Sequence, residues 1–164
     1  MNVLIREGRE TDIPAALQLV HELALYEKAP EEVEVSIEQM REWGFGKNPL
    51  FKFFVAEQEG KILGMALYYY KYSTWKGKCI FLEDIIVTES QRGGGMGQEL
   101  FNRTMQCALD ENCNGMIWQV LDWNTPAIEF YKKYGAAIDG SWMNCSLERV
   151  QLEALVQEKG ITSA

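Results

Sequence analysis

Residues Ile80 to Leu109 read IFLEDIIVTESQRGGGMGQELFNRTMQCAL, an apolar strand that runs into a glycine cluster and then directly into an amphipathic helix. That order builds an anion site. The free backbone N–H groups at a helix start and the positive end of its dipole favour phosphate, and glycines let a ligand approach the backbone closely. Spacing narrows the ligand. A dinucleotide fingerprint needs GxGxxG, but Gly93 and Gly95 are followed by Gln98, and Gly95 and Gly97 by Leu100. A P-loop needs Lys-Ser or Lys-Thr after the glycines, and neither follows. What remains is Arg92-Gly93-Gly94-Gly95-Met96-Gly97, an RxxGxG loop.

A glycine run by itself is equally well explained as a flexible turn. Here the strand ends at Val87, five residues before Arg92, and from Gly97 onward Leu100, Phe101, Thr104, Met105 and Ala108 fall on one face at helical spacing. Strand, loop and helix therefore stand in the order that phosphate binding requires. In that setting the loop resembles the pyrophosphate loop of the GNAT superfamily of N-acetyltransferases, which bind acetyl-coenzyme A. The resemblance implies that Ile85, Ile86, Val87, Arg92, Gly93, Gly94, Gly95, Met96, Gly97 and Gln98 hold this co-substrate.

The totals agree with a single folded domain over residues 1–164. Apolar residues make up 47% and aromatics 12%, too many for a disordered chain. The start, MNVLIREGRETD, has charges where a signal peptide needs an apolar core, and no 18-residue apolar run occurs, so a soluble cytoplasmic protein is expected. Cys79, Cys107, Cys113 and Cys145 form no CxxC pair and the chain has one His, so no metal is expected and the thiols read as reduced. A formal charge of −8 opposes a nucleic-acid partner and suits a cationic small substrate.

Along the chain, Val3 to Arg6 reads as a strand, and Asp12 to Glu27 as a helix with Thr11 or Asp12 as N-cap and Pro14 in its first turn. Ser36-Ile37-Glu38-Gln39 is a capping box that opens a second helix ending near Gly44. Phe51 to Glu57 and Ile62 to Tyr70 read as a hairpin, followed by a strand at Lys78 to Val87. After the glycine loop and its helix come a strand at Met116 to Leu121, a helix from Thr125 to Tyr134 capped by Thr125, a last strand at Trp142 to Leu147, and a terminal helix or frayed tail from Glu148 to Lys159. This order predicts an α/β (α+β) fold, a mixed, mostly antiparallel central sheet flanked by helices, consistent with the acyl-CoA N-acyltransferase fold of the GNAT superfamily.

Acetyl transfer to an amine requires removal of a proton from an ammonium, stabilisation of an oxyanion, and protonation of a departing thiolate. Glu83 and Asp84 sit mid-strand in an apolar run, and adjacent strand residues face opposite sides of a sheet, so at least one carboxylate should meet an apolar layer and need a partner or a function. An edge strand with solvated charges is the plainer alternative. On the functional reading Glu83 attracts the cationic amine and accepts its proton through water, while Asp84 assists or is structural. His21 reads as a solvated helix-face residue.

The segment from Asn124 to Gly135 resembles the superfamily's N-x-x-A-x-x-x-Y-x-x-x-G signature, which implies that Asn124, Ala127 and Phe130 contact the co-substrate and that Tyr131 is the general acid on the leaving sulfur. As bare helix spacing, Tyr131 could equally be core packing. Leu25-Tyr26-Glu27, Trp43-Gly44-Phe45-Gly46, Tyr72 to Gly77, Leu82-Glu83-Asp84 and Asp122-Trp123-Asn124 resemble the diamine N-acetyltransferase branch, spermidine/spermine and thialysine enzymes included. That likeness implies an acidic, aromatic amine site at Tyr26, Glu27, Trp75, Glu83 and Asp84, and a homodimer with no membrane partner; carboxylates and aromatic faces both attract ammonium groups.

Ser73 stands where the polyamine enzymes carry an acidic residue, and Asp139-Gly140-Ser141 precedes Trp142 where they carry another. Fewer carboxylates grip a long polycation less well, so a lysine-like amino acid such as thialysine is the expected substrate. A polyamine, a protein lysine or N-terminus, and a non-catalytic CoA-binding module are the competing readings.

Overall fold

A computed structural model of the chain describes residues 3–161. The chain divides into two compact units, Met1–Gln119 and Val120–Ala164. In the first, the strands β1 (Leu4–Glu7), β2 (Lys52–Gln58), β3 (Lys61–Ser73), β4 (Gly77–Val87) and β5 (Met116–Trp118) form one sheet in sequence order. The first four pair antiparallel through short connections, whereas β5 lies parallel to β4 after a helical crossover. β5 stops at Trp118, three residues short of the run read from sequence.

Helices cover both faces of this sheet. On one, α1 (Ile13–Tyr26) and α2 (Ile37–Phe45) bury Ile13, Ala16, Leu17, Leu19 and Met40 against Phe53, Val55, Met65, Leu67 and Ile86. On the other, α3 (Met96–Asp110) lays down Leu100, Phe101, Thr104, Cys107 and Ala108, all buried. There the Tyr68 hydroxyl meets the Cys107 sulfur at 3.3 Å and the Arg103 guanidinium lies 4.5 Å over Phe54. A sheet buried on both faces explains why β2 and β4 read as near-continuous apolar runs.

The local signals act as their chemistry demands. Ser36 Oγ accepts from Gln39 N–H at 3.2 Å and the Gln39 side chain accepts from Ser36 N–H at 2.9 Å, closing the expected capping box. Asp12 occupies the N-cap position of α1 but does not cap it. Its carboxylate accepts instead from Arg6 at 2.7 Å and from the Arg9 N–H at 2.8 Å, and the hydrogen bond from Arg6 holds it below the usual carboxylate range. Arg6 also reaches Glu57 at 2.7 Å, tying the edge strand β1 to its neighbour.

The second unit carries α4 (Thr125–Lys132) and α5 (Arg149–Glu158). The strand expected at Trp142 to Leu147 is absent: residues 137–148 have no regular structure and are exposed. Alternation of apolar residues makes a strand only where a ladder partner exists, and among the described residues this segment has none. Among the described residues no helix is long and apolar enough to cross a membrane.

Candidate active site

The register of β4 decides the site. Leu67 pairs with Asp84 but Tyr68 pairs with Leu82, so Glu83 is an extra residue with no partner on β3, a β-bulge. Regular pleating would turn Glu83 and Asp84 to opposite faces. The bulge cancels that alternation. Asp84 lies opposite Leu67 and Glu83 lies beside Tyr69, and Leu67 and Tyr69 share a face with Met65. Both carboxylates therefore look toward α1.

A third carboxylate joins them from the end of α1. Glu27 terminates that helix, its N–H bonded to Leu23 O at 2.8 Å, and burial raises its pKa. Burial pushes Asp84 up to about 7, and the charges of Glu83 and Glu27 add to the effect. The half-buried Asp84 thus supplies the partner-seeking carboxylate that the apolar run predicted. Beside them, the Tyr69 ring stacks on Phe81 with centroids 5.2 Å apart and planes 24° from parallel. Burial raises the Tyr69 hydroxyl to about 12, and the charge of the nearby Glu83 adds to the effect. Sequence alone does not single out Tyr69, since its neighbours are set by register.

The anion cradle lies at the carboxyl end of the same strand. Pairing of β4 with β5 ends at Leu82 opposite Trp118. Thr88 N–H donates to Leu63 O on β3, so alternation turns the N–H groups of Ile85 and Val87 to the side where β5 has stopped. Beyond Val87 the chain turns through Glu89–Gln91 into the glycine loop. Gly93 and Gly95 hold positive φ, +82° and +86°, and a Cβ on either would meet nothing within 4 Å. The left-handed Gly95 opens the 15-residue helix α3 with no side chain capping it, so the first N–H groups of the helix have no cap. Met96 is buried beneath the loop and anchors it, while Gly97 lies against Val87. This is a cradle that fits a phosphate group in contact with backbone.

Arg92 is built into the cradle wall. Its Nε donates to Val87 O at 3.0 Å and its guanidinium lies 4.9 Å over the Tyr26 ring. Tyr26 and Arg92, with Thr88, Glu89 and Ser90, line an open groove of about 680 Å³. The end of α1 is thereby joined to the glycine loop by a cation–π contact that spacing could not foretell. Trp75 stands apart from the carboxylates at the tip of the β3–β4 hairpin, 85% exposed. Ser73 Oγ closes that tip by accepting from the N–H groups of Trp75 at 3.2 Å and Lys76 at 3.1 Å. Among the described residues no group of three or more His, Cys, Asp and Glu could hold a metal ion.

In the second unit, Asn124 rather than Thr125 caps α4: its Oδ1 accepts from Ala127 N–H at 3.3 Å. Asn outranks Thr as a cap, and Pro126 fits the first turn with either start. Tyr131 is buried, 6% exposed, with its ring edge-on to Phe130 at 5.3 Å. Gly135 has φ +71°, ending the helix as expected. Asp139 is occupied in its own turn, where its Oδ1 accepts from Ser141 N–H at 2.8 Å and Oγ at 2.6 Å.

A bulged carboxylate strand, a β4–β5 ladder that stops short and an uncapped glycine-led helix define an acyl-CoA-dependent transferase. The model of the acetyltransferase (GNAT) family matches residues 16–136, and the chain belongs to that family. It is an acetyl-CoA-dependent N-acetyltransferase. Among its relatives, thialysine N-epsilon-acetyltransferase of Sus scrofa is 43% identical over 143 residues, 82% of this chain and 84% of that one. Spermidine/spermine N(1)-acetyltransferase-like protein 1 of Homo sapiens is 37% identical over 80% of this chain and 20% of its own length. A solved aminoglycoside acetyltransferase from an uncultured soil metagenomic sample matches with a TM-score of 0.75 at 20% identity, covering 89% of this chain and 97% of that one, a likeness of fold alone.

Proposed function

We propose that the protein acetylates the side-chain amine of a small lysine-like amino acid such as thialysine. The observation that carries this reading is the gathering of Glu27, Glu83 and Asp84 on one side of the sheet. Burial makes Glu27 and Asp84 costly to ionise, the charges of Glu83 and Glu27 add to that cost at Asp84, and an incoming ammonium relieves it, so Asp84 ionises as the cation binds. Tyr26, next to Glu27, offers an aromatic face to the same cation, whereas Trp75 at the hairpin tip stands outside this group. Ser73, engaged in its hairpin turn, adds no charge for a second distant amine, and Asp139 is held by Ser141. The human relative's printed name makes a polyamine the competing substrate.

Acetyl-CoA supplies an activated acetyl thioester. The N–H groups of Gly93 to Gln98 bind its phosphates, with Arg92 at their side, and Asn124, Ala127 and Phe130 line its pantetheine arm. Glu83 accepts the proton of the amine as the nitrogen becomes nucleophilic, directly or through one water. The Ile85 N–H donates to the acetyl oxygen, flanked by Ile86 and Val87, and Tyr131 returns a proton to the departing sulfur. Transfer is direct, with no acyl-enzyme. The protein works in the cytoplasm, where the free thiols Cys79, Cys107, Cys113 and Cys145 stay reduced. We also infer a homodimer, on the family resemblance and on the exposed Trp142 and Met143, which a second copy could cover.

The test is CoA-thiol release from acetyl-CoA with thialysine, lysine, ornithine, putrescine, spermidine, spermine and a lysine-containing peptide. Highest kcat/KM with a lysine-like amino acid is expected. Preference for spermidine or for the peptide overturns the substrate assignment.

A further inference from the structure

We propose that Tyr26 is a positioning residue for the co-substrate, the face of its ring holding the Arg92 guanidinium at the glycine loop where the phosphates of acetyl-CoA bind. The inference rests on the reading of Arg92 and the glycine loop as the phosphate site and extends it to the end of α1.

Arg92 is poorly restrained by its own loop. It is exposed, follows the turn at Glu89–Gln91 and precedes Gly93, whose φ is +82°. Its Nε donates to Val87 O at 3.0 Å, which uses one of the guanidinium's five N–H donors and leaves both terminal amino groups for a ligand. A single hydrogen bond fixes the reach of the side chain but not the plane of its head group. The second restraint is Tyr26, whose ring centroid lies 4.9 Å from the guanidinium carbon. Glu22 and Glu89 line the same groove, and among the described residues neither pairs with Arg92. That choice of partner matters. A carboxylate would neutralise the charge and compete with phosphate, whereas an aromatic face attracts the cation and leaves its charge and its N–H donors to an anion.

The ring is carried by a fixed backbone. Tyr26 is the last residue of α1, and the turn after it is closed by Lys28 N–H to Leu25 O at 3.2 Å and Ala29 N–H to Ala24 O at 2.9 Å, the paired bonds of a Schellman motif. Lys28 takes the left-handed position of that motif, φ +64°, which is usually left to glycine. The loop's arginine is thus set against a closed helix end.

The test is calorimetry of acetyl-CoA binding with no amine present, so that any contact of Tyr26 with the amine does not enter. Tyr26 is 37% exposed, and its variants should melt near wild type. Tyr26→Leu removes the aromatic face and should raise the Kd roughly three- to tenfold, the range of a cation–π contact. Tyr26→Phe keeps the face and should bind acetyl-CoA like wild type. Arg92→Met should bind at least as weakly as Tyr26→Leu, and in its background Tyr26→Leu should cost nothing further. Added salt weakens a guanidinium–phosphate attraction, so the salt dependence of the Kd should flatten in Tyr26→Leu toward that of Arg92→Met and persist in Tyr26→Phe. A wild-type Kd for Tyr26→Leu beside a weakened Arg92→Met overturns the proposal and leaves Arg92 in the phosphate site. A loss that persists in full in the Arg92→Met background, or that Tyr26→Phe shares, overturns it as well, because the ring face is then not acting through Arg92. Wild-type binding by Arg92→Met overturns both readings together.

Discussion

The segment from Glu83 to Gly97 and the helix α4 treat their polar groups in opposite ways. Along the first, a bulge releases one residue from the ladder, Ile85 and Val87 turn N–H groups to where β5 has ended, and Gly95 opens α3 without a cap. Carboxylates that repel one another share one side. In α4 the chain attends to itself: Asn124 accepts from Ala127 N–H, Lys132 pairs with Glu129 at 2.8 Å, and Tyr131 is buried. Polar groups left without internal partners cost folding energy and are retained where a ligand will meet them. Substitutions of the carboxylates in the first segment should therefore trade activity against stability in opposite directions, and those in the framework of α4 should lower stability first.

The sharpest break would come at Asp84. Its folded-state pKa of about 7 lies above the ordinary carboxylate value near 4. The folded protein consequently holds this proton more tightly than the unfolded chain, and the contribution of Asp84 to stability is fullest below pH 4. It declines as pH rises from 4 to 7, and the whole penalty is present above pH 7. Asp84→Asn removes the charge but not the shape. Its stability advantage should grow from near zero at pH 4 to about 2–4 kcal/mol at pH 8, while its KM for the amine rises. Denaturant melts at the two pH values check it. Asp84→Asn no more stable than wild type at pH 8 would mean that the carboxylates do not strain one another, and the contrast with α4 would fail.

Much of this contrast was legible in the sequence, and the part that was not has a single physical cause. Gly93 and Gly95 between an apolar strand and an amphipathic helix, the Ser36 to Gln39 capping box, and the inward stripe of α3 are local patterns, fixed by residues within a few positions of one another. The bulge at Glu83 is a property of two strands. Nothing between Ile80 and Val87 reports that Tyr68 pairs with Leu82 rather than with Glu83, so the sequence put the two carboxylates on opposite faces. Tyr69 and the Arg92–Tyr26 contact were hidden for the same reason. Trp142 to Leu147 failed in the reverse sense, with alternation but no ladder. The choice of Thr125 over Asn124 as cap misjudged one position, a common uncertainty at helix ends.

The glycine loop gives a smaller effect that sharpens the contrast. Gly95 has φ +86°, where an L side chain costs about 1–2 kcal/mol, although a Cβ would have open space. Gly94 lacks that backbone constraint, and its added Cβ would make only an ordinary contact with Gln91 O at 3.6 Å. Gly95→Ala should lose about 1 kcal/mol of stability and bind acetyl-CoA about tenfold more weakly. Gly94→Ala should fold like wild type, so any loss of affinity it shows in calorimetry reports the ligand's approach to the backbone. Equal and unchanged affinity in both variants would remove the loop from the binding site.

Asn124→Ala carries the smallest effect and tests the other half of the comparison. Losing the acceptor for Ala127 N–H should cost about 1 kcal/mol, the usual value of an N-cap, and shift the thermal midpoint by a few degrees. If the cap is all that Asn124 supplies, Asn124→Asp, which keeps the acceptor and favours the positive helix end, should restore the midpoint fully. Asn124 is also assigned to the pantetheine arm, and there the two substitutions separate. Asp keeps the cap but loses the amide's N–H donors and adds a charge, so it should raise the KM for acetyl-CoA while leaving the melting temperature intact. Should Asn124→Asp match wild type in both stability and KM, α4 begins with a purely structural residue. Should it keep its stability and lose affinity, one side chain caps the helix with its oxygen and serves the co-substrate with its nitrogen, and the division between self-satisfied and ligand-directed polar groups runs through a single amide.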